Sequence, residues 1–574
     1  MHYSYLFEAH TIQRYIMDSG KLEEMVGASE ILERLTAESA DSPLDALLNH
    51  LKLKTPDNYC FSRRGGGAFY IDFLDDNALS NAQLIMNIWT FIVNEQAPGL
   101  AFNHVISSGK DDGEAIEKGQ ERLRELRSQP QLTLPEITPL VRRSPRTGQA
   151  VVIKDKKSKA WLDVASVQKQ DEENIKGEAL TKKFLPDLDT NNPEFVFPIN
   201  MEPDPDHKSD TSFPFKNGNH TVGIIHADGN GFGEILLKLG DKLKEKAKKE
   251  AGEERVNRSK LFLALSKAID DATQEAAQEA LKIIKEKTKE EQSNKDKLDK
   301  KSIVLPVRPL ILGGDDLTLI VRGDYALQYA RDFMRAFEKK TEQRLGALRS
   351  NKDYLSIKNY LPEKLTACAG VTFMKSNQPF SLGYSLAESL CSAAKTASRK
   401  NLDDKGTIPA SLVFHRVTSS FIEDYKYAKE RELTASFKDK YSLTLGAYGV
   451  GDVVNELPRF DALEKIKKLF QKSEMAKGPT RHFLTMMHTD PREADEVWNR
   501  WVKGMKSDKN RKQILKEYQQ EVATLFNKEG IDNKAPFRDV TDNSEDDSDS
   551  KIVQETFIGD LISWMAAEGE THAN

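Results

Sequence analysis

Residues 310–321 read LILGGDDLTLIV, two short apolar runs on either side of Gly-Gly-Asp-Asp. Each run is rich in leucine or β-branched residues, a composition that predicts a β-strand. Gly313 and Gly314 predict a tight hairpin between the strands, because glycine adopts positive φ angles without steric cost. The hairpin would present Asp315 and Asp316 at its turn, beside a backbone that a phosphate can approach closely. Carboxylates bind divalent cations, so this stretch predicts a site for metal ions and a nucleotide.

A second motif lies upstream, where residues 221–233 read TVGIIHADGNGFG. The pattern predicts a strand, a glycine-rich turn and the start of a helix, whose backbone N–H groups can bind a triphosphate. Asp228 ends the predicted strand, and the residues that follow it are Gly229, Asn230, Gly231 and Phe232. A strand aspartate beside the hairpin pair Asp315–Asp316 is the layout of a two-metal nucleotidyl-transfer site. The hairpin motif alone also fits an ordinary acidic turn, whereas the two motifs together favour catalysis by these three aspartates.

The two motifs together resemble the catalytic palm of the GGDEF and nucleotidyl-cyclase group, and above all the large polymerase subunit of type III CRISPR effector complexes. In that family the Gly-Gly-Asp-Asp palm joins ATP molecules into cyclic oligoadenylates, so the resemblance implies ATP as substrate and antiviral signalling as the role. It implies two Mg²⁺ (or Mn²⁺) ions as cofactors, with the ligands Asp228, Gly229, Asp315 and Asp316. In palm cyclases a lysine near the end of a later helix reaches the triphosphate, and Lys395, with Arg399 nearby, has that place here. A solvated side chain at the helix end is the alternative for Lys395.

The amino-terminal part of the chain has the predicted order βαββαβ, which is typical of a ferredoxin-like unit. Strands are predicted at Tyr3–Glu8, Tyr59–Ser62, Ala68–Phe73 and Leu100–Ile106. The glycines Gly65–Gly67 lie between the second and third strands, the place that Gly-Gly-Asp-Asp holds later, but no carboxylates follow them. We therefore expect a degenerate first palm, whose Gly65 and Gly66, flanked by Arg63 and Arg64, bind a second nucleotide without metal ligands of their own. A flexible turn is the alternative.

The predicted fold class is α+β, with two ferredoxin-like palm domains. The expected regions are the first palm at 1–110, a connecting domain at 111–219, the catalytic second palm at 220–418 and a helical carboxyl-terminal domain at 419–574. In the second palm, a long insertion separates Asp228 from Asp315, with two helices and a solvated hairpin tip predicted at Lys285–Lys301. A minimal GGDEF domain keeps these two positions closer, so the insertion favours the CRISPR-type palm over a diguanylate cyclase.

Further local expectations concern the connecting domain, the end of the second palm and the carboxyl-terminal domain. Asn191–Asn219 contains many prolines and turn formers and is predicted as loop, and Ser411–Val417 is predicted to close the second palm's sheet. Asp542–Asp549 is predicted as an acidic linker, followed by an amphipathic helix at Ile552–Ala567. Three arginines of the connecting domain favour a solvated surface, with RNA or triphosphate contact as the alternative; they are Arg142, Arg143 and Arg146.

Composition excludes several classes of protein. Of the 574 residues, 30% are charged, and no apolar run reaches the ~20 residues of a membrane span. The amino terminus resembles no signal segment, so we expect a cytoplasmic protein without membrane association. The three cysteines form no Cys-x-x-Cys, and we expect no zinc site. No histidine immediately precedes an aspartate and the first predicted strand begins at Tyr3, so we expect a family form without the HD-type nuclease.

The sequence thus predicts a nucleotidyltransferase, a cyclic oligonucleotide synthase that uses ATP. The family resemblance further implies contact of the helical carboxyl-terminal domain with other CRISPR effector subunits, together with guide RNA. A net charge of −6 argues against nonspecific nucleic-acid binding by the whole chain, without excluding a local basic groove. Two alternatives stay open: a non-catalytic structural subunit of an RNA-guided complex and, disfavoured by the insertion, a diguanylate cyclase.

Overall fold

The structure is a computed structural model of the 574-residue chain. It describes the chain apart from residues 19, 39–41, 130–139, 156–158, 190–191, 204–210, 217, 250–257, 294–301, 403–405, 420–421, 437–439, 453, 473–474, 476, 528–535, 542–551 and 570–574. The chain divides into two compact units. The first unit comprises Met1–Pro214, Gly231–Leu319 and Ala336–Leu365. The second unit comprises Phe215–Asn230, Ile320–Arg335 and Thr366–Asn574.

The first unit begins with an antiparallel four-stranded sheet and the helices that cover it. Its elements are β1 (His2–His10), α1 (Ile12–Met17), α2 (Leu22–Thr36), α3 (Pro43–His50), β2 (Tyr59–Gly65), β3 (Ala68–Phe73), α4 (Ala78–Gln96), β4 (Ala101–Gly109) and α5 (Asp112–Arg127). The strand order is β2-β3-β1-β4, and every neighbouring pair is antiparallel. Phe7, Phe69 and Trp89 are fully buried and in ring contact, so α4 anchors one face of this sheet. All four predicted strands are present, and α3 is an addition.

The connecting segment is built from small elements. They are β5 (Val151–Lys154), β6 (Trp161–Asp163), α6 (Val164–Lys169), α7 (Glu172–Ile175), α8 (Ala179–Phe184) and β7 (Phe195–Val196). β5 and β6 form an antiparallel pair. The loop prediction for Asn191–Asn219 is wrong at β7, which pairs in parallel with residues 303–304. The reason is burial: Phe195 and Phe197 are 8% and 5% exposed, so this apolar run packs although prolines surround it.

The region of the Gly-Gly-Asp-Asp motif contains a six-stranded sheet. Its elements are β8 (Thr221–Gly229), α9 (Phe232–Lys249), α10 (Arg258–Ser293), β9 (Ile303–Val304), β10 (Val307–Gly313), β11 (Asp316–Arg322), α11 (Ala326–Ser350), a 3₁₀ helix (Lys352–Tyr360), β12 (Ala367–Lys375), α12 (Phe380–Arg399) and β13 (Ser411–Arg416). In the second unit, β12 pairs antiparallel with β8 and parallel with β13. Apolar residues fill these strands, and their side chains form the core of the sheet.

The solvated hairpin tip predicted at Lys285–Lys301 is wrong in its conformation over the first part, although most of that part is exposed. Residues 285–293 continue the helix, while residues 294–301 lie outside the described part of the chain. Lysine and glutamate have high helix propensity and support one another at i,i+4 spacing. Thr288 is only 2% exposed, which shows that this stretch also packs.

The carboxyl-terminal segment adds both helices and strands. Its elements are α13 (Tyr425–Glu432), β14 (Thr434–Ser436), β15 (Lys440–Ser442), β16 (Tyr448–Gly449), α14 (Phe460–Phe470), α15 (Lys477–Thr489), α16 (Pro491–Met505), α17 (Lys509–Leu525), β17 (Phe537–Thr541), β18 (Ile552–Thr556) and α18 (Ile558–Ala567). The six-stranded sheet has the order β10-β11-β8-β12-β13-β16, so β16, and not β13, is its last strand. A two-residue strand carries no periodicity that a sequence pattern could reveal.

The carboxyl-terminal segment, predicted as helical, therefore has strands beside its helices. Four of its strands form a separate sheet in the order β14-β15-β18-β17. The helix predicted for Ile552–Ala567 begins only at Ile558, because residues 552–556 pair antiparallel with β17. The predicted acidic linker, Asp542–Asp549, lies outside the described residues. Across the part of the chain that the structure describes, no helix is both long and apolar enough to cross a membrane.

Candidate functional site

The Gly-Gly-Asp-Asp turn of the first unit has the predicted hairpin geometry. β10 ends at Gly313 and β11 begins at Asp316. Gly314 has a φ of 61°, a left-handed conformation that side chains other than glycine rarely adopt. Asp315 and Asp316 are half-buried, so their carboxylates belong to the wall of a recess and not to an exposed loop.

Three side chains from outside the hairpin hold this turn. The Gly314 N–H donates to Asp270 Oδ1 at 3.0 Å, and Thr273 Oγ1 lies 2.6 Å from the Gly314 carbonyl oxygen. Lys183 Nζ donates to the carbonyl oxygen of Leu312 at 3.1 Å. Asp270 and Thr273 belong to α10 and Lys183 to α8. The sequence analysis missed these residues, because they lie in no motif and reach the turn only through tertiary packing.

The Gly65–Gly67 turn lies against the Gly-Gly-Asp-Asp turn in the same unit. Its three glycines all have positive φ angles, of 128°, 60° and 74°. A Cβ atom placed on Gly313 would lie 3.4 Å from the Cα of Gly66. The two turns therefore approach each other backbone to backbone.

A charge cluster around the buried Glu8 lies beside the Gly65–Gly67 turn. Arg63 Nη1 donates to Glu8 Oε1 at 3.3 Å and to the Tyr70 hydroxyl at 3.2 Å. The Tyr70 hydroxyl and Arg127 also donate to Glu8. Burial raises the pKa of Glu8, but the Tyr70 hydrogen bond and the charges of Arg63 and Arg127 outweigh it, so this pKa lies below its usual value. The negative charge of Asp315 is among the influences that raise the pKa of Arg63, which links the cluster to the Gly-Gly-Asp-Asp turn.

Arg64, the neighbour of Arg63, is engaged elsewhere. Its guanidinium donates to both carboxylate oxygens of Asp45, at 2.8 and 2.6 Å, and to the Ala37 carbonyl oxygen at 2.5 Å. The side chain is 9% exposed, against 43% for Arg63. Of the two predicted arginines, Arg63 is the one with an accessible guanidinium.

A cavity of about 680 Å³ lies within the first unit and is bounded by both turns. Its charged lining residues include Glu8, Arg63, Arg124, Arg127, Arg258, Asp270, Asp315 and Asp316. Apolar side chains from α9 and α10, Leu237 and Phe262 among them, complete the lining. The volume is within the range of small-molecule and cofactor sites, which is about 300–1,000 Å³. The cavity thus combines carboxylates, arginines and an apolar wall on the scale of a nucleotide.

The second unit contains the strand aspartate of the other motif. Asp228, at the end of β8, forms an ion pair with Lys395 of α12. Lys395 Nζ also donates to the Gly229 carbonyl oxygen at 3.3 Å. An ammonium ion thus contacts both Asp228 and Gly229, the two residues of this motif predicted to bind metal. Arg399, the other predicted cation of this helix, is exposed at its last position.

The residues after Asp228 have a fixed backbone. The Asn230 N–H donates to the Thr366 carbonyl oxygen at 2.8 Å, and Asn230 Nδ2 donates to Thr366 Oγ1 at 3.0 Å. Asn230 is 6% exposed, and Gly231 has a φ of 74°. Asn230 therefore serves the turn structurally through its side chain. Phe232 begins α9 and is one of the lining residues of the cavity.

A comparison with known families now identifies the motif-bearing region. The family model Cas10/Cmr2, second palm domain, matches residues 221–402. This segment belongs to the Cas10/Cmr2 second palm family. The resemblance to the type III CRISPR large subunit is thereby confirmed. No curated protein is similar enough in sequence to match the chain.

Solved structures with a similar fold include three Csm1 structures. The Csm1–Csm4 cassette in complex with pppApA is 14% identical, with a TM-score of 0.42 over 88% of this chain and 64% of that chain. The cassette in complex with cA3 is 12% identical, with a TM-score of 0.40 over 87% of this chain and 64% of that one. Csm1 in T. onnurineus is 14% identical, with a TM-score of 0.39 over 87% and 64%. The chain thus spans just under two thirds of the length of each.

The predicted residues of the second palm fall into two groups. Gly313, Gly314, Asp315 and Asp316 are together in the cavity, as are Gly65 and Gly66 of the opposite turn. Asp228, Gly229 and Lys395 are together in the second unit. The meeting of the two groups in one metal site stays a prediction. Among the described residues, no cluster of three or more histidine, cysteine, aspartate or glutamate side chains has the spacing of a metal site.

Proposed function

We propose that this chain is a nucleotidyltransferase that joins ATP molecules into cyclic oligoadenylates, as the large subunit of a type III CRISPR effector complex. One observation carries the proposal. Asp315 and Asp316, in a second palm of the Cas10/Cmr2 family, line a nucleotide-sized cavity together with a second glycine turn. A structural role alone does not require paired carboxylates beside a cavity of this kind.

The carboxylates fit the divalent cations that the family implies. Mg²⁺ and Mn²⁺ prefer oxygen ligands, and Asp315 and Asp316 present two adjacent carboxylates on a turn whose backbone is held in place. Asp228 and the Gly229 carbonyl would complete the ligand set. When bound, two such ions lower the pKa of an attacking 3′-hydroxyl and neutralise charge on the α-phosphate and the departing pyrophosphate.

The chain's own residues would bind and orient the two nucleotides. Both sheets are proposed as ferredoxin-like palms, with one nucleotide at each glycine turn. Arg63 and Arg127 supply positive charge on the side of Gly65–Gly67, and both pair with Glu8 there. The contact between Gly66 and Gly313 would hold the two ligands close, and such positioning supplies much of the rate of a bimolecular step.

Lys395 would change partners on substrate binding. In the structure its ammonium contacts Asp228 and the Gly229 carbonyl oxygen, both predicted to bind metal. Asp228 and the Gly229 carbonyl oxygen would hold the metal ion, and the Lys395 ammonium, no longer needed as their partner, would bind the triphosphate, which is the role that the family resemblance implies. The exchange keeps Asp228 neutralised in both states and avoids an uncompensated, partly buried charge.

The partners of the chain are proposed on the same basis. The second palm family implies assembly with other CRISPR effector subunits and guide RNA, through the carboxyl-terminal domain. The solved structures similar to this chain include Csm1–Csm4 cassettes in complex with cA3, cA4 or AMPPNP. The proposed location is the cytoplasm.

Mass spectrometry of the reaction products tests the proposal. The purified chain is incubated with each nucleoside triphosphate in turn, with Mg²⁺ or Mn²⁺. We expect cyclic oligoadenylates from ATP and none from a variant with both Asp315 and Asp316 replaced by alanine. Absence of oligonucleotide from every triphosphate, for the chain alone and for the chain with its effector subunits, would favour the non-catalytic subunit instead.

A further inference from the structure

Helix α10 lies directly behind the Gly-Gly-Asp-Asp turn. The helix runs from Arg258 to Ser293 and belongs to the long insertion between the two motifs of the second palm. Ile269, Ala272 and Ala276 are buried on its packed side, which fixes the helix within the first unit. Asp270 and Thr273, one turn apart, are then placed beside Gly314. The insertion therefore contacts the turn that carries the proposed metal ligands.

Both polar groups of the Gly314 backbone bond to side chains of α10. The Gly314 N–H donates to Asp270 Oδ1 at 3.0 Å, while Gln274 Nε2 donates to Asp270 Oδ2 at 2.7 Å and orients that carboxylate. Thr273 is 0% exposed, and its hydroxyl oxygen lies 2.6 Å from the Gly314 carbonyl oxygen. The hydroxyl is also 2.8 Å from the Ile269 carbonyl oxygen, so its single proton is shared between two acceptors. The Gly314 carbonyl belongs to the peptide unit that leads into Asp315.

A half-buried lysine joins the same turn to two other elements. Lys183 Nζ donates to the Leu312 carbonyl oxygen at 3.1 Å and pairs with Glu33 of α2 at 2.7 Å. Burial lowers the pKa of Lys183, but the charges of Glu33 and Asp270 outweigh it, so the pKa lies above its usual value and the ammonium stays charged. Gln278 of α10 donates to the Lys183 carbonyl oxygen at 2.7 Å. The backbone on both sides of Gly313 is thus held by side chains.

We infer that Thr273 and Asp270 are positioning residues that fix the orientation of Asp315 and Asp316 for metal binding. The inference rests on the proposed function, because it assigns a role to the metal ligands named there. The physical argument is preorganisation. Gly314 has a conformation that glycine can easily leave, and a carboxylate displaced by rotation of the adjacent peptide loses part of its metal affinity. Hydrogen bonds to both polar groups of Gly314 remove that freedom before the metal binds.

The test compares two variants of the full chain, Thr273→Val, in which valine is isosteric with threonine, and Thr273→Ser. Valine keeps the volume and removes the hydroxyl, whereas serine keeps the hydroxyl. Free Mn²⁺ is measured by electron paramagnetic resonance during titration of each protein with Mn²⁺ alone. We expect Thr273→Val to bind Mn²⁺ about 2- to 10-fold more weakly than the parent, the worth of one hydrogen bond, and Thr273→Ser to bind as the parent does. The variant with Asp315→Asn and Asp316→Asn is the reference for loss of the site.

A second variant keeps the inference testable if Thr273→Val fails to fold. Gln274→Ala removes the amide that orients Asp270 at a half-buried position of α10, where alanine favours the helix. We expect it to weaken Mn²⁺ binding about 2-fold without lowering the thermal unfolding midpoint by more than a few degrees. If the role of Thr273 were purely structural, Thr273→Val would have a lower thermal unfolding midpoint and an unchanged Mn²⁺ affinity in its folded form.

The outcomes separate the inference from the proposed function. Parental Mn²⁺ affinity in both Thr273→Val and Gln274→Ala, with loss of binding in the double aspartate variant, would overturn the positioning role and leave the proposed metal site intact. If the parent binds Mn²⁺ no better than the double aspartate variant, both are overturned. The positioning role is supported if Thr273→Val binds Mn²⁺ more weakly than the parent and Thr273→Ser binds it as the parent does.

Discussion

The two glycine turns of the first unit have similar backbones and opposite chemistry. Each joins neighbouring strands, β2 to β3 and β10 to β11, and each includes glycine with positive φ. The Gly65–Gly67 turn is backed by Arg63 and Arg127, whereas the other turn presents two aspartates. The comparison teaches that a shared backbone geometry brings two ligands together, while the flanking side chains decide whether each turn attracts phosphate or metal.

The turns also differ in what holds them. The Gly-Gly-Asp-Asp turn bonds to Asp270 and Thr273 of α10, which lies in the insertion. On the other side, the Gly67 N–H donates to Thr36 Oγ1 at 3.3 Å, and the Gly67 carbonyl oxygen accepts from the Ala9 N–H at 2.9 Å. The amino-terminal turn is thus held by its own sheet and α2. The turn with the proposed metal ligands is held by a helix of the insertion.

The largest expected effect is at the carboxylates that distinguish the second turn. Replacing both Asp315 and Asp316 by alanine should abolish product formation, because no other carboxylate of this hairpin can hold the metals. The fold should survive, since a half-buried turn contributes little packing. Mass spectrometry of the products and a thermal unfolding curve measure the two quantities. Asp76→Ala, an exposed position of the same unit, is the matched control. Undiminished turnover in the double variant would refute the role of the second turn.

The next effect tests the first turn. Gly66→Val should stop synthesis, because Gly66 lines the cavity and a β-branched residue is strained at a φ of 60°. Titration calorimetry with a non-hydrolysable ATP analogue should show two bound per parent chain and one per variant. Gly148→Val introduces the same type of strain, at a φ of 72°, outside the cavity lining. This control should still bind two analogue molecules per chain. A parent that binds one analogue would rule out the two-turn arrangement.

A smaller effect is expected at Lys395, the lysine of α12 proposed to bind the triphosphate. Lys395→Ala should lower kcat/KM for ATP by the equivalent of about 1.5–3 kcal/mol, the range of hydrogen bonds to charged groups. Lys400→Ala, an exposed lysine just beyond the same helix, is the control and should leave kcat/KM unchanged. Equal kcat/KM for parent and Lys395→Ala would return Lys395 to the role of a solvated partner of Asp228.

The sequence predicted what depends on local pattern. Apolar runs and paired glycines were enough for the β10–β11 hairpin, for the four strands of the first sheet and for the long helices. The same patterns placed Asp315 and Asp316 at a turn, because hairpin geometry is set by the residues of the hairpin itself. The family resemblance, confirmed for residues 221–402, came from these local motifs.

What the sequence could not predict depends on packing between distant elements. Asp270 and Thr273 are polar positions of an ordinary amphipathic helix until that helix is placed against Gly314. β16 and β7 have two residues each, too few for any periodicity, and pair only because neighbouring strands offer an edge. Lys395 was predicted near a triphosphate, but its contact with Asp228 needed the register of β8 against β12 and the packing of α12.

The smallest expected effect is at Glu8, the carboxylate that holds the arginines of the first turn. The folded protein lowers the pKa of Glu8 below its ordinary value of 4.5, so the ionised form stabilises the fold above that pH. Glu8→Gln should therefore reduce the free energy of unfolding at pH 7 by about 1 kcal/mol, a modest figure because Arg63 and Arg127 are nearly half exposed and screened by solvent. As the pH falls through the folded pKa, the parent's carboxylate takes up a proton and the gap between parent and variant should close.

Urea unfolding at several pH values measures this gap, and Glu95→Gln, at an exposed glutamate, should show none at any pH. A gap that stays constant down to acid pH would mean that Glu8 acts through its shape and not its charge, and the electrostatic contrast between the two turns would then rest on Arg63 and Arg127 alone.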